Sequence, residues 1–198
     1  MPALVLASTS RYRRAQLEQL GLTFSTHPPL IDEDIIKAME ISPSEIAQKL
    51  AKLKVEFVAK SCPNSLIIAG DQIAEIDGQI LNKPETDERA FQQLKQLSGR
   101  VHHLWTAIAI HNSSTNLTKV HLEKYTLTMR TLTDAQIRSY IAIDQPLDCT
   151  GSYRIEALGI SLFEAIEGRD HTGIIGLPLM QLVSILNEFG LLIPTITH

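Results

Sequence analysis

Runs of adjacent apolar residues alternate along this chain with stretches in which apolar residues recur every three or four positions. That alternation predicts strands interleaved with helices. Leu4 to Ala7 form the first run, a short buried strand. Behind it, Ala15, Leu17 and Leu20 have helical spacing, Ser8 to Ser10 offer N-cap candidates, and Gly21 is a stop signal. "TFSTHP" (23–28) reads as a second strand stopped by Pro28 and Pro29, and "IDED" (31–34) as an acidic loop. The clearest helix is 42–61: Ser42 caps it, Pro43 takes its first position, Glu45 completes a capping box, and Ile46, Leu50, Leu53, Phe57 and Val58 make its apolar face.

Further on, 65–81 reads as a buried strand, a polar interruption and an extended run turning at Asp77-Gly78, a hairpin signal. A capped helix is expected over 86–99, two long strands around "HNSSTN" within 101–130, a helix over 133–143, an extended segment over 158–168 and a closing helix over 177–190. Strands and helices interleave, but the hairpin-like pairs require a mixed sheet. The class is α/β without being doubly wound and parallel. No repeat, linker or low-complexity tract interrupts the chain, so a single domain over 1–198 is expected.

Charge narrows the function. A net charge of -4 argues against a general binder of nucleic-acid polymers, whose phosphates call for a basic surface. Lysine and arginine must then act locally. Two cysteines, Cys62 and Cys149, make neither a disulfide framework nor a metal cluster. No apolar run approaches the ~18 residues of a membrane span, and no basic segment precedes the first apolar run. A cytoplasmic protein that does not associate with membranes is expected.

One local concentration of charge stands out. Arg11, Arg13 and Arg14 fall in the first turn of the first helix, where unpaired backbone N–H groups already carry partial positive charge. Cations are unfavourable there unless an anion joins them. With the hydroxyls of Ser8 and Ser10, this turn is either an anion site or a solvated surface. The spacing matches neither the phosphate-loop nor the dinucleotide glycine pattern.

Asp71 follows Leu66-Ile67-Ile68-Ala69-Gly70, which places it at the end of a buried strand. There it is poorly solvated and held by rigid structure, as a general base or metal ligand requires; the alternative is an Asx turn. Lys83, before Pro84, is held in extended backbone and can point toward a site or into solvent. Lys54 lies beside the apolar face of its helix and either snorkels past it or reaches inward. Glu33 could join Asp71 in holding magnesium or manganese, which suit oxygen ligands. The seven histidines show no metal-binding spacing and read as structural.

Taken together, "LASTSRYRRAQLEQLG", the "IDE" that follows, the "AGDQ" aspartate, "LNKP", "LSGRVHHLWTAIAI" and the late "GLPL" resemble the Maf family of nucleoside triphosphate pyrophosphatases, from about residue 4 to 190. The resemblance implies a two-lobed fold around a long mixed sheet, with a cleft between the lobes. It implies hydrolysis of an α–β phosphoanhydride, with a divalent metal, to a nucleoside monophosphate and pyrophosphate, and a possible homodimer. By position, Ser8, Ser10 and Arg13 match the phosphate-gripping motif. Glu33, Lys54, Asp71 and Lys83 match the polar catalytic set, with Asp71 as the usual proton acceptor. Tyr12, Gln72 and Glu156 are similar to the subgroup acting on 7-methyl-GTP; the subgroup acting on dTTP and UTP typically has arginine, threonine and glutamine there. The chain departs from the family in carrying Arg11 where proline is common.

These residue types suit the chemistry. A 7-methylguanine ring is cationic; Tyr12 can offer it an aromatic face and Glu156 a countercharge. The alternatives are a dTTP/UTP pyrophosphatase of the same family, or a non-catalytic nucleotide-binding regulator of cell division. The carboxylates favour an enzyme, since a sensor has no need of a water-activating group among repelling phosphates.

Overall fold

A computed structural model describes residues 2–194. Its strands are β1 (Ala3–Leu6), β2 (Ser25–Thr26), β3 (Ser65–Ile76), β4 (Gln79–Leu81), β5 (Val101–Asn112), β6 (Leu117–Met129) and β7 (Phe163–Glu167). They form one sheet in the order β2-β1-β3-β5-β6-β7, with β4 paired to β3. Parallel and antiparallel pairs both occur. β1 runs parallel to β2 and β3, whereas β3 is antiparallel to β4 and β6 to β7. The expected mixed α/β architecture is therefore present.

The chain divides into two compact units. The first comprises 2–71, 106–123 and 170–194, the second Gln72–Trp105 and Lys124–Arg169. In the first, β1 sits between two parallel neighbours, with Leu4 opposite Leu66 and Leu6 opposite Ile68. A strand so placed needs cover on both faces, which explains its unbroken apolar run. Its core includes Leu6, Leu66, Ile68 and Ile108 with Leu17 of α1 (Arg11–Gln19) and Leu182 of the last helix (Leu179–Glu188). The long helix α3 (Pro43–Ala59) has the expected capping box, and its buried residues include Lys54 among apolar neighbours.

In the second unit, Asp77 and Gly78, both at positive φ, turn β3 back into β4 as expected. The helices α4 (Asp87–Leu97) and α5 (Asp134–Asp144) start at threonine caps. His102 is buried against Tyr153 and Phe163, and its Nε2 lies 3.1 Å from the Tyr153 hydroxyl. It is structural, as expected.

Several sequence expectations need correction. The acidic loop at 31–34 instead leads into a short helix, α2 (Glu33–Lys37), because the Asp32 side chain caps it by accepting from Asp34 N–H. The 23–28 strand shrinks to two residues. The segment 158–168 is not extended throughout: Leu158–Leu162 is a 3-10 turn, and the Asp144 carboxylate takes the Gly159 N–H. A short helix (Thr172–Ile175) precedes the last one. Asp71 does not end its strand. β3 continues through Ile76, since a buried aspartate with a cationic partner need not break a ladder.

Candidate active site

The serine–arginine turn is ordered by its own backbone demands. The Ser8 hydroxyl accepts from Ser10 N–H at 3.1 Å, and the Ser10 hydroxyl from Arg13 N–H at 3.4 Å, so Ser10 is the N-cap of α1. The helix begins at Arg11 without the family's proline. Arg11 instead lies over the Tyr12 ring, its guanidinium carbon 4.8 Å from the centroid, and donates to the Tyr12 hydroxyl at 2.7 Å. Arg14 is exposed and paired with Glu18.

Arg13 turns inward. Its Nε donates to the Gly176 carbonyl at 3.3 Å, and the side chain lies over Gly70, where an added Cβ would stand 3.1 Å from that Nε. Gly70 is the residue before Asp71, so the arginine and the carboxylate are close enough that each feels the other's charge. Successive strand residues face opposite sides. Gly70 faces Arg13 and Leu177, while Asp71 faces Lys54 of α3.

Lys54 reaches inward, which settles the choice that its helix position left open. Its Nζ donates to Asp71 Oδ1 at 2.6 Å and pairs with Glu33 Oε1 at 2.7 Å; the Lys54 and Asp71 side chains are each 7% exposed. Burial works against the Glu33 charge, but Lys54 and then Lys37, 3.2 Å away, hold its carboxyl down to about 2. Burial pushes the Asp71 carboxyl above the ordinary range, against the pull of Lys54 and Arg13. Asp71 Oδ2 is buried and has no hydrogen-bond partner among the described residues. A buried acceptor of this kind carries a desolvation cost unless a donor or cation meets it.

Ser8, Ser10, Arg13, Glu33, Lys54 and Asp71 all belong to the first unit, with Tyr12 on the same turn. Gln72, Lys83 and Glu156 belong to the second. There Gln72 is half-buried on β3, Lys83 is exposed just after β4, and Glu156 is exposed and paired with Arg154 at 3.5 Å. Among the described residues, no three His, Cys, Asp or Glu side chains group to hold a metal. Glu33 and Asp71 nevertheless fit a hard cation that takes its remaining ligands from phosphate and water, the usual habit of magnesium, and the partnerless Oδ2 is a ready ligand.

Two features escaped the sequence reading. Ala15, read as apolar face, is exposed, and Gln16 takes the buried place. Asp170 is buried and ties Thr172 and Met180 N–H groups together. A glutamine in a polar helix and an aspartate after arginine carry no sequence signal for either role.

A buried carboxylate beside a cationic helix start defines a class: α/β proteins that can meet a polyanion on backbone N–H, hydroxyl and guanidinium groups while holding a base among them. Residues 3–189 match the family described as Maf-like protein, and the chain belongs to that family. It is 44% identical over 194 residues to the 7-methyl-GTP pyrophosphatase of Pseudomonas aeruginosa, covering 98% of this chain and 100% of that protein. It is 43% identical over 194 residues to the Pseudomonas putida protein of the same name, with the same coverage. To that of Bdellovibrio bacteriovorus it is 40% identical over 193 residues, 95% of this chain and 97% of the relative.

Proposed function

We propose that this chain is a nucleoside triphosphate pyrophosphatase whose substrate is 7-methyl-GTP. The observation that carries the chemistry is the buried Oδ2 of Asp71, without a hydrogen-bond partner among the described residues, on a carboxylate that Lys54 bonds and whose charge Arg13 feels. The substrate class is supported by near-full-length likeness to relatives bearing that name.

Ser8, Ser10 and Arg13 grip the phosphate chain at the start of α1, where N–H groups, hydroxyls and guanidinium converge. Water attacks phosphorus at the α–β anhydride, the bridging P–O bond breaks, and pyrophosphate leaves with the bonding pair. Asp71 accepts the water's proton on Oδ2 while Oδ1 stays bonded to Lys54. A raised carboxyl pKa suits that task, since it makes the ionised form a stronger base. Lys54 offsets charge that builds as pyrophosphate departs. Glu33, joined by Asp71 where that carboxylate serves as a ligand rather than as the proton acceptor, would hold a magnesium or manganese ion, which when bound neutralises the phosphates. Tyr12 stacks on the methylated ring. A cytoplasmic location suits a nucleotide substrate, and Cys62 and Cys149, not joined in a disulfide, would stay reduced there. A homodimer is the assembly proposed, to be read by sedimentation.

Pyrophosphate release across methylated and canonical nucleoside triphosphates tests the reading. Selective turnover of 7-methyl-GTP is expected. Equal turnover of UTP or dTTP overturns the substrate, and nucleotide binding without turnover by the unaltered protein supports the regulator instead.

A further inference from the structure

Gln16 is a buried polar group whose bonding the proposed chemistry leaves unused. It lies three residues after Arg13 on α1, so both side chains leave the helix on one side. Only 4% exposed, it spends its amide on the backbone of one distant segment. Nε2 donates to the Thr172 carbonyl at 2.7 Å and to the Leu177 carbonyl at 3.1 Å, and Oε1 accepts from Leu177 N–H at 2.9 Å. The segment so clamped contains Gly176, whose carbonyl takes Arg13 Nε at 3.3 Å.

The fit leaves little slack. A Cβ on Gly176 would lie 3.0 Å from Arg13 Cγ and 3.4 Å from Gln16 Oε1. Asp170 braces the same segment, accepting from Thr172 N–H at 2.9 Å, from its hydroxyl at 2.6 Å and from Met180 N–H at 2.7 Å. A leucine at position 16 would fill the space without desolvating an amide, so the amide's return is the fixed position of this segment. An arginine side chain held in place before its ligand arrives loses less freedom on binding. With Nε tied to Gly176, the two terminal nitrogens of Arg13 are those left to meet a phosphate.

We propose that Gln16 is a positioning residue: by clamping the 172–177 segment, a short helix and its C-cap, to α1, it sets the Gly176 carbonyl that aims the Arg13 guanidinium. This rests on the reading of Arg13 as a phosphate ligand. The test measures inorganic pyrophosphate affinity by calorimetry for the full chain, Gln16→Leu, Arg13→Lys (which keeps the charge but loses Nε) and the double variant.

Gln16→Leu is expected to weaken pyrophosphate binding about tenfold, and to change it less than about twofold in the Arg13→Lys background, because the pair acts through one bond. An equal loss in both backgrounds overturns the proposal, as does no loss in the Arg13 background. If Arg13→Lys alone leaves affinity unchanged, the phosphate role itself fails and the positioning role falls with it, a result distinct from the other two. Should Gln16→Leu not fold, Gly176→Ala crowds Arg13 Cγ at 3.0 Å while meeting Gln16 Oε1 only at 3.4 Å, and keeps the amide itself; unchanged affinity there overturns the proposal.

Discussion

Lys54 and Asp71 form a buried ion pair, Nζ to Oδ1 at 2.6 Å, in which one carboxylate oxygen is bonded and the other has no partner among the described residues. The lysine fixes the orientation of the carboxylate, and the second oxygen is available for chemistry. An aspartate held this way can act on water without rotating away from it. Its removal should therefore separate catalysis from binding. Asp71→Asn keeps the shape and the Lys54 contact through its amide oxygen, but accepts no proton. Pyrophosphate release is expected to fall by at least about 100-fold. Nucleotide affinity measured without metal should hold or improve, because a negative charge has left the neighbourhood of the phosphates. If turnover survives within a few-fold, Asp71 is not the proton acceptor.

Lys54 controls when Asp71 is ionised. Burial raises the Asp71 carboxyl pKa, and Lys54 is the stronger of the two cations opposing that rise. If Asp71 is the proton acceptor, activity of the unaltered enzyme should fall as pH drops through the raised Asp71 value, with the acid limb of the kcat/KM profile above the ordinary carboxylate range. Lys54→Met removes the pull, and the limb should move to still higher pH. It also leaves Asp71 buried without its counter-ion, a loss of roughly 3 kcal/mol or more by the general behaviour of buried pairs. Chemical unfolding beside a pH–rate series measures both. A limb that stays in place would show that another group governs it.

Much of this arrangement was legible in the chain because local physics dictates it. The Ser10 and Ser42 caps, the Asp77-Gly78 turn and the apolar runs of β1 and β3 each follow from short-range rules. What was not legible depends on partners far along the chain. Asp71 reads as a strand breaker until Lys54, 17 residues earlier, is seen to satisfy it. Glu33 reads as a solvated loop acid until α2 and the same lysine draw it in. Gln16 has no apolar signature, and its partners at Thr172 and Leu177 lie more than 150 residues away. The roles of Gln72, Lys83 and Glu156 came from the family resemblance, since none has a local environment that announces them.

His102 gives a stability prediction independent of the active site. Burial holds its pKa down to about 4, so the folded protein keeps it neutral while the unfolded chain titrates at its ordinary 6.5. Between these values the unfolded state binds more protons, and stability rises with pH. The contribution is fully present above pH 6.5 and is lost as pH falls toward 4, to an extent on the order of 3 kcal/mol. His102→Gln cannot titrate and should show a smaller drop in Tm between pH 7 and pH 4.5 than the unaltered protein. Parallel pH–Tm lines for the two would contradict the assignment.

The last prediction concerns Arg11, which covers the Tyr12 ring at 4.8 Å. If Tyr12 stacks on a methylated guanine, the guanidinium and the cationic ring compete for the same aromatic electron density and repel each other. Arg11→Ala removes that competitor and leaves the Ser10 cap, which bonds Arg13 N–H, in place. Cation–π contacts of about 0.5 to 2 kcal/mol correspond to a few-fold up to roughly 30-fold in rate constants. The ratio of kcat/KM for 7-methyl-GTP over GTP should therefore rise by about threefold or more, because only the methylated ring carries the charge that Arg11 opposes. A gain shared equally by GTP would indicate mere unblocking of the turn. An unchanged ratio would place the methylated ring away from Tyr12.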